Sequence, residues 1–179
     1  MSFNLLKKYN QLLEFIGYND KQRKNSLHGV FNRDFIDAGQ IKFNNKAITP
    51  TPINGEISME TLFTHLTTVI TDKVTRKREY DNHRAVRLHW VKFHLDANKK
   101  DNMLLFSVKE PRGFRTYLYD KDEKYVIVLE PLRNKEEYYL LSAYHLTGKD
   151  GKRNKILAKY KKRRLNVSIR TSTSFIRVI

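Results

Sequence analysis

The chain has 179 residues, with 35 Lys plus Arg against 19 Asp plus Glu, a formal net charge of +16 and no cysteine. The missing thiols exclude disulfide staples, cysteine-based zinc sites and a thiol nucleophile. No run approaches the roughly 18 apolar residues that a membrane-spanning helix needs. The opening MSFNLLKKYNQLLEFIGYND has no apolar stretch followed by small residues. The expectation is therefore a soluble, cytoplasmic domain without a signal peptide. A chain of this length buries roughly 70% of its unfolded surface and needs no metal to fold. One domain with a decorated end fits it. The excess of cations calls for an anionic partner. Nucleic acid comes first, because phosphate neutralisation drives its non-specific binding. An anionic membrane surface and a generally basic composition are the competing explanations.

In chain order, Phe3, Leu5, Leu6, Tyr9, Leu12, Leu13 and Ile16 recur at helical spacing and predict an amphipathic helix ending near Gly17. Residues 18–30 are polar and basic. The stretch AITPTPINGEIS (47–58) reads as an extended connector. It sets the expected boundary between an N-terminal helical accessory segment, 1–57, and a main domain, 58–164. Ser58 is placed to cap a helix over METLFTHLTTVITDKVTRKR, with Glu60 in its first turn. Its apolar stripe runs Met59, Leu62, Phe63, Leu66, Val69, Ile70, Val74, with His65 on the margin. In DNHRAVRLHWVKFHLD, Val86, Leu88 and Trp90 alternate like a strand, while Val86, Trp90 and Phe93 fit a helix; both remain open. Then NMLLFSVKE, RTYLYD, YVIVLEP and YYLLSAYHLT follow one another across short polar turns, the pattern of an antiparallel meander. GKDGKRNKILAKYKKRR (148–164) predicts a basic helix, and 165–179 a strand or tail. The fold class expected is α+β: N-terminal helices packed on a twisted antiparallel β-sheet, with a basic C-terminal helix.

Several chemistries fail on residue type. Asp120, Asp122, Glu123, Glu136 and Glu137 sit in turns and do not form a carboxylate set for a metal nuclease. His83, His89 and His94 have neither a zinc-finger nor a one-face helical spacing. TGKDGKR lacks the spacing and the final Ser or Thr of a phosphate loop. No G-x-S-x-G anchors a hydrolase triad.

Hydroxyls, imidazoles and cations remain, and they suffice for RNA cleavage without metal or cofactor. One group takes a proton from the 2′-hydroxyl, another protonates the leaving 5′-oxygen, and cations hold the phosphorane. In the strand YYLLSAYHLT, alternation puts Ser142 and Tyr144 on one face, roughly 7 Å apart, and Leu141, Ala143 and His145 on the other. A phosphate fits between two such hydroxyls. The plainer reading is a half-buried aromatic beside a small core residue. His65 is either a proton shuttle or a satisfied structural histidine. Arg87 and His89 share a face if 86–90 is a strand, and there they would clamp phosphate or simply meet solvent. Lys92 reads as plain surface, and Arg115, which opens a strand, either aims inward or forms a solvated rim.

Together LFTHLTT, RLHWVKFHL, RTYLYDKDEKYVIVLEP, YYLLSAYHLTG and KILAKYKKR resemble the phage- and mobile-element-associated nucleases of the barnase–EndoU–colicin–RelE superfamily over residues 58–163. Arg87 to Trp90 matches that group's Arg-x-x-Trp. Leu141 to Tyr144, LSAY, matches its late-strand Leu-Thr-Ala-Tyr with Ser in place of Thr. The resemblance implies a metal-independent endoribonuclease serving as toxin or effector of a mobile element or defence system. RNA is the implied substrate, tRNA among the candidates, and an antitoxin or immunity protein the implied restraint. Carried onto this sequence, it makes His65, Arg87, Ser142 and Tyr144 the catalytic candidates. His89, Lys92, Arg115, His145, Lys152, Arg153, Lys155 and Lys159 are the expected RNA contacts. From another class, a non-catalytic nucleic-acid-binding accessory protein would use the same basic surface.

Overall fold

In a computed structural model, described for residues 3–132, 137–147 and 151–163, the chain is α+β. The N-terminal segment differs from its helical periodicity. Only Phe3–Leu6 winds, as a short 3-10 turn, and the rest follows an irregular path with turns near Asn10 and Gly17. Tertiary bonds outweigh propensity here. Asn4 bridges two strands of backbone, its Nδ2 donating to the Glu14 carbonyl at 2.9 Å and its Oδ1 accepting from the Glu14 amide at 2.9 Å. Leu13 donates its amide to the Val86 carbonyl, and Tyr9 stacks on Phe93 with centroids 4.0 Å apart.

The polar 18–30 stretch holds the first true helix, α1 (Asp20–Phe31). Asn19 and Gln22 close a reciprocal capping box, and Leu27, Val30 and Phe31 point into the core. A π-type turn, Asn32–Ile36, continues it. Two strands follow, β1 (Lys42–Phe43) and β2 (Lys46–Pro50), the second formed by what reads in sequence as a connector. Helix α2 (Met59–Thr67) is half the expected length. The β-branched run Thr67-Thr68-Val69-Ile70 disfavours further winding. The Thr67 and Thr68 hydroxyls donate back to the Phe63 and Thr64 carbonyls. The chain then forms a hairpin of β3 (Thr68–Ile70) and β4 (Arg78–Tyr80), and Val74, expected on the buried stripe, is fully exposed at its turn. The open 86–90 stretch is no strand: α3 (Asn82–Ala85), capped by Asp81, leads through a turn over 86–89 into α4 (Trp90–Leu95).

The strands β5 (Met103–Glu110), β6 (Gly113–Asp120), β7 (Tyr125–Pro131) and β8 (Glu137–His145) form the expected meander. The whole sheet has the order β1-β2-β8-β7-β6-β5. Only β2–β8 is parallel, and it pairs the first half of β8, Glu137 to Leu140. One face packs on the helical layer, where Leu13, Leu27 and Phe31 share a cluster with Leu62, Leu66, Trp90, Ile127 and Leu140. Residues on both sides of position 57 thus build one core. Trp90 is 2% exposed and donates Nε1–H to the Gln11 carbonyl. Truncating it to Ala costs about 3–5 kcal/mol. The other face, with Phe106, Tyr117, Val126 and Val128, is covered by α5 (Gly151–Lys161) through Ile156 and Tyr160. Among the described residues no helix is long and apolar enough to cross a membrane.

Candidate active site

The site forms where three elements meet the second half of β8. Among the described residues, no strand pairs with β8 beyond Leu140 on the side away from β7. A β-bulge interrupts its pairing with β7 here: Val128 faces Ser142 while Leu129 faces Leu140, so Leu141 is the extra residue. The bulge resets the alternation. Leu140 and Ala143 both enter the main core, whereas Leu141 packs with the second cluster. Strict alternation would have put Leu141 with Ala143.

A pocket of about 290 Å³ opens at this point, lined by His65, Val69, Ile70, Arg78, Arg84, Leu141 and Ser142. His65 comes from the last turn of α2, Arg78 from β4, Arg84 from α3 and Ser142 from the bulge. The end of α2 fixes both arginines. Arg84 donates Nη1–H to the His65 carbonyl at 3.1 Å. Arg78 donates Nε–H to the Thr68 hydroxyl at 2.8 Å and Nη2–H to the Thr68 carbonyl at 3.2 Å. These carbonyls belong to the helix's unsatisfied, partially negative end, which favours cations. Each guanidinium is thereby oriented with donors to spare. Among the described residues, neither the His65 imidazole nor the Ser142 hydroxyl is hydrogen bonded within the protein. Burial, then the charges of Arg78 and Arg84, hold the His65 pKa below its ordinary value. At neutral pH the ring is an uncharged proton acceptor facing two fixed cations. Such a set can accept a proton, hold a phosphate and donate a hydroxyl hydrogen bond.

The chain matches no protein-family model, no curated protein and no solved structure.

The structure brings together His65 of α2 and Ser142 of β8, which seven elements separate along the chain. Tyr144 is on the same face of β8 as Ser142, since their partners Val126 and Val128 both lie in the second cluster. It sits beyond the pocket lining. Burial raises its phenol pKa, which Lys159 and Arg84 partly offset. Arg87 is in the turn between α3 and α4. It donates Nη1–H to the His83 carbonyl at 3.0 Å and lies 5.2 Å from the centre of the Trp90 ring. It belongs with His145, whose pKa is lowered to about 4 by burial, Arg87, His83 and Lys124. His89 is 5% exposed and its Nε2 meets the Lys8 carbonyl at 3.1 Å, a contact that ties down the N-terminal segment. Lys92 pairs with Asp96 one turn on. Arg115 lies near Glu110 at the β5–β6 end, across the sheet. Lys155 is exposed on α5, and Lys159 is engaged by Glu110 and the Tyr117 hydroxyl. The side chains of Lys152 and Arg153 lie outside the described residues, as does the stretch 164–179.

Arg78 and Arg84 are the pocket residues that sequence reasoning missed. Arg78 is hidden in the basic run Lys73 to Arg78. Arg84 had a signal: it stands three residues before Arg87, one helical turn away, a spacing that matters once 82–95 is read as helix.

Proposed function

We propose that the chain is a metal-independent endoribonuclease whose reaction centre is the pocket of His65, Arg78, Arg84 and Ser142. What supports the reading is the convergence there of an uncharged, unbonded imidazole with two oriented guanidiniums and a free hydroxyl. His65 Nε2 or Nδ1 takes the proton of the 2′-hydroxyl, and that oxygen attacks the adjacent phosphorus. The P–O5′ bond breaks, leaving a 2′,3′-cyclic phosphate and a 5′-oxygen that takes up a proton. Arg78, Arg84 and the Ser142 hydroxyl hold the non-bridging oxygens as charge builds on them. Tyr144, kept protonated by burial, is the donor to the leaving oxygen. DNA lacks the attacking hydroxyl and is spared. In this reading the protein is a cytoplasmic toxin or effector, held in check by an antitoxin or immunity protein.

One observation favours a second reading. Tyr144 does not line the pocket, so no second proton-transfer side chain stands beside His65 among the lining residues. A non-catalytic module that holds an intact strand needs none. Incubating the full chain with labelled tRNA and with single-stranded DNA in excess EDTA separates the two. The ribonuclease cuts RNA alone and leaves cyclic phosphate ends, and His65→Ala and Tyr144→Phe abolish the cut. Intact RNA with a salt-dependent mobility shift establishes the binding module instead.

A further inference from the structure

We propose that the end of β8 carries a second anion subsite, built from Arg87, His145, His83 and Lys124, which takes a neighbouring phosphate of the same RNA strand. As a phosphate subsite of a nuclease it rests on the ribonuclease reading; as an anion site it stands on its own geometry.

Helix α3 is the hinge between the two places. Arg84 turns to the His65 pocket, while its neighbour His83 and, one turn on, Arg87 turn to the strand end. The His83 carbonyl holds the Arg87 guanidinium, which lies against the Trp90 ring. Across from it, His145 pairs in register with Tyr125, whose hydroxyl points at the Arg87 carbonyl at 3.5 Å. Lys124 is fixed beside them, because its carbonyl accepts from the Leu146 amide at 2.8 Å. His145 lies three residues beyond Ser142, roughly 10 Å along the strand, within reach of a short run of nucleotides.

Among the described residues, two nitrogens in this patch are buried without a hydrogen-bond partner: Arg87 Nε and His145 Nδ1. Buried polar groups are normally satisfied, and one on a cation is especially costly to leave bare. His89 Nδ1 and Thr51 Oγ1 are also unpartnered, but neither sits in such a cluster of positive groups. Among the described residues, Arg87, His83 and Lys124 form no ion pair. The acid that acts on Arg87 is Glu123, which does not reach it as a salt bridge. Burial comes first, and Arg87, His83 and Lys124 add to it, in holding the His145 proton off. A bound phosphate anion would oppose that, accepting from Arg87 Nε and from a protonated His145.

The test uses the full chain in a His65→Ala background, titrated with inorganic phosphate and followed by NMR of the imidazole and guanidinium nitrogens. Phosphate should shift the His145 ring and Arg87 Nε signals and move the His145 titration upward by at least about one pH unit. Lys124→Gln, an exposed change that spares the fold, should weaken phosphate binding roughly tenfold. Unmoved His145 and Arg87 signals overturn the subsite, and so does phosphate binding that ignores Lys124→Gln. In the active protein, His145→Gln should erode the KM advantage of a trinucleotide over a dinucleoside monophosphate roughly tenfold. An unchanged KM ratio overturns the second-phosphate role. If no RNA is cut at all, the ribonuclease reading falls, and the phosphate titration still decides the anion site.

Discussion

Two clusters of charge in this molecule have opposite designs. Around Asp120, which is fully buried, every donor has an acceptor. His94 Nε2 meets the carboxylate at 3.0 Å, Tyr9 donates at 2.6 Å, Lys99 at 2.8 Å, and the Asp122 and Glu123 amides close the remainder. Those bonds overcome the penalty of burial and hold the Asp120 pKa well below the carboxylate range. Along the free half of β8, by contrast, His65, Ser142, Arg87 Nε and His145 Nδ1 end in no protein bond among the described residues. Saturated polar groups hold a fold together. Unsaturated ones, clustered and of one sign, wait for something that is not part of the chain.

The sharpest test of that contrast is His65→Ala. RNA cleavage should fall by roughly 10²–10⁴ while urea unfolding stays within about 1 kcal/mol of the parent. A large stability loss would move His65 into the structural class. Asp120→Ala should do the reverse. It strands Lys99, His94 and Tyr9 around an empty centre and should cost about 3–5 kcal/mol in urea denaturation. Cleavage per folded molecule should remain, since none of these residues lines the pocket. Arg84→Ala touches both classes, removing a phosphate cation and a cap on α2. It should lower cleavage roughly 10–100-fold and stability by about 1 kcal/mol.

The fourth prediction concerns pH. The folded pKa of His145 is depressed to about 4 from an ordinary 6.5, so the unfolded chain binds its proton more readily. Stability is complete above about pH 6.5 and declines as pH falls towards 4. His65 and His89, also lowered by burial, act in the same sense. With partial exposure discounted, the His145 share is about 1–2 kcal/mol. Unfolding midpoints of His145→Gln across this window should show a flatter slope. The smallest effect is expected at the α5 anchor. Glu110→Gln weakens its contact with Lys159, a partly exposed pair, and should cost about 0.5–1 kcal/mol by thermal denaturation.

Much of the meander was legible because period-two patterns over β5–β8 are separated by polar turns. The α+β class followed from it. Long-range ties were not legible. Nothing local announces that Asn4 will stitch Glu14 into a non-helical path, or that the Pro-bearing 47–58 stretch will supply a parallel strand beside β8. His65 and Ser142 were singled out from residue type and face, and the structure puts them in one pocket. The bulge at Leu141 was invisible to alternation, which assumes no extra residue. Arg87 and His89 were paired by a strand pattern that became a helical turn. That turn sends one to the strand end and buries the other.

Among the described residues β8 is only half paired on one side, which also bears on how the protein behaves in concentrated solution. A bare strand border is a template for another chain's backbone, and folds defend such borders with charge. Here Arg78, Arg84, Arg87 and His145 stand along it. Variants made to neutralise the site will therefore strip away a guard against self-association, and their solubility should be followed alongside their chemistry.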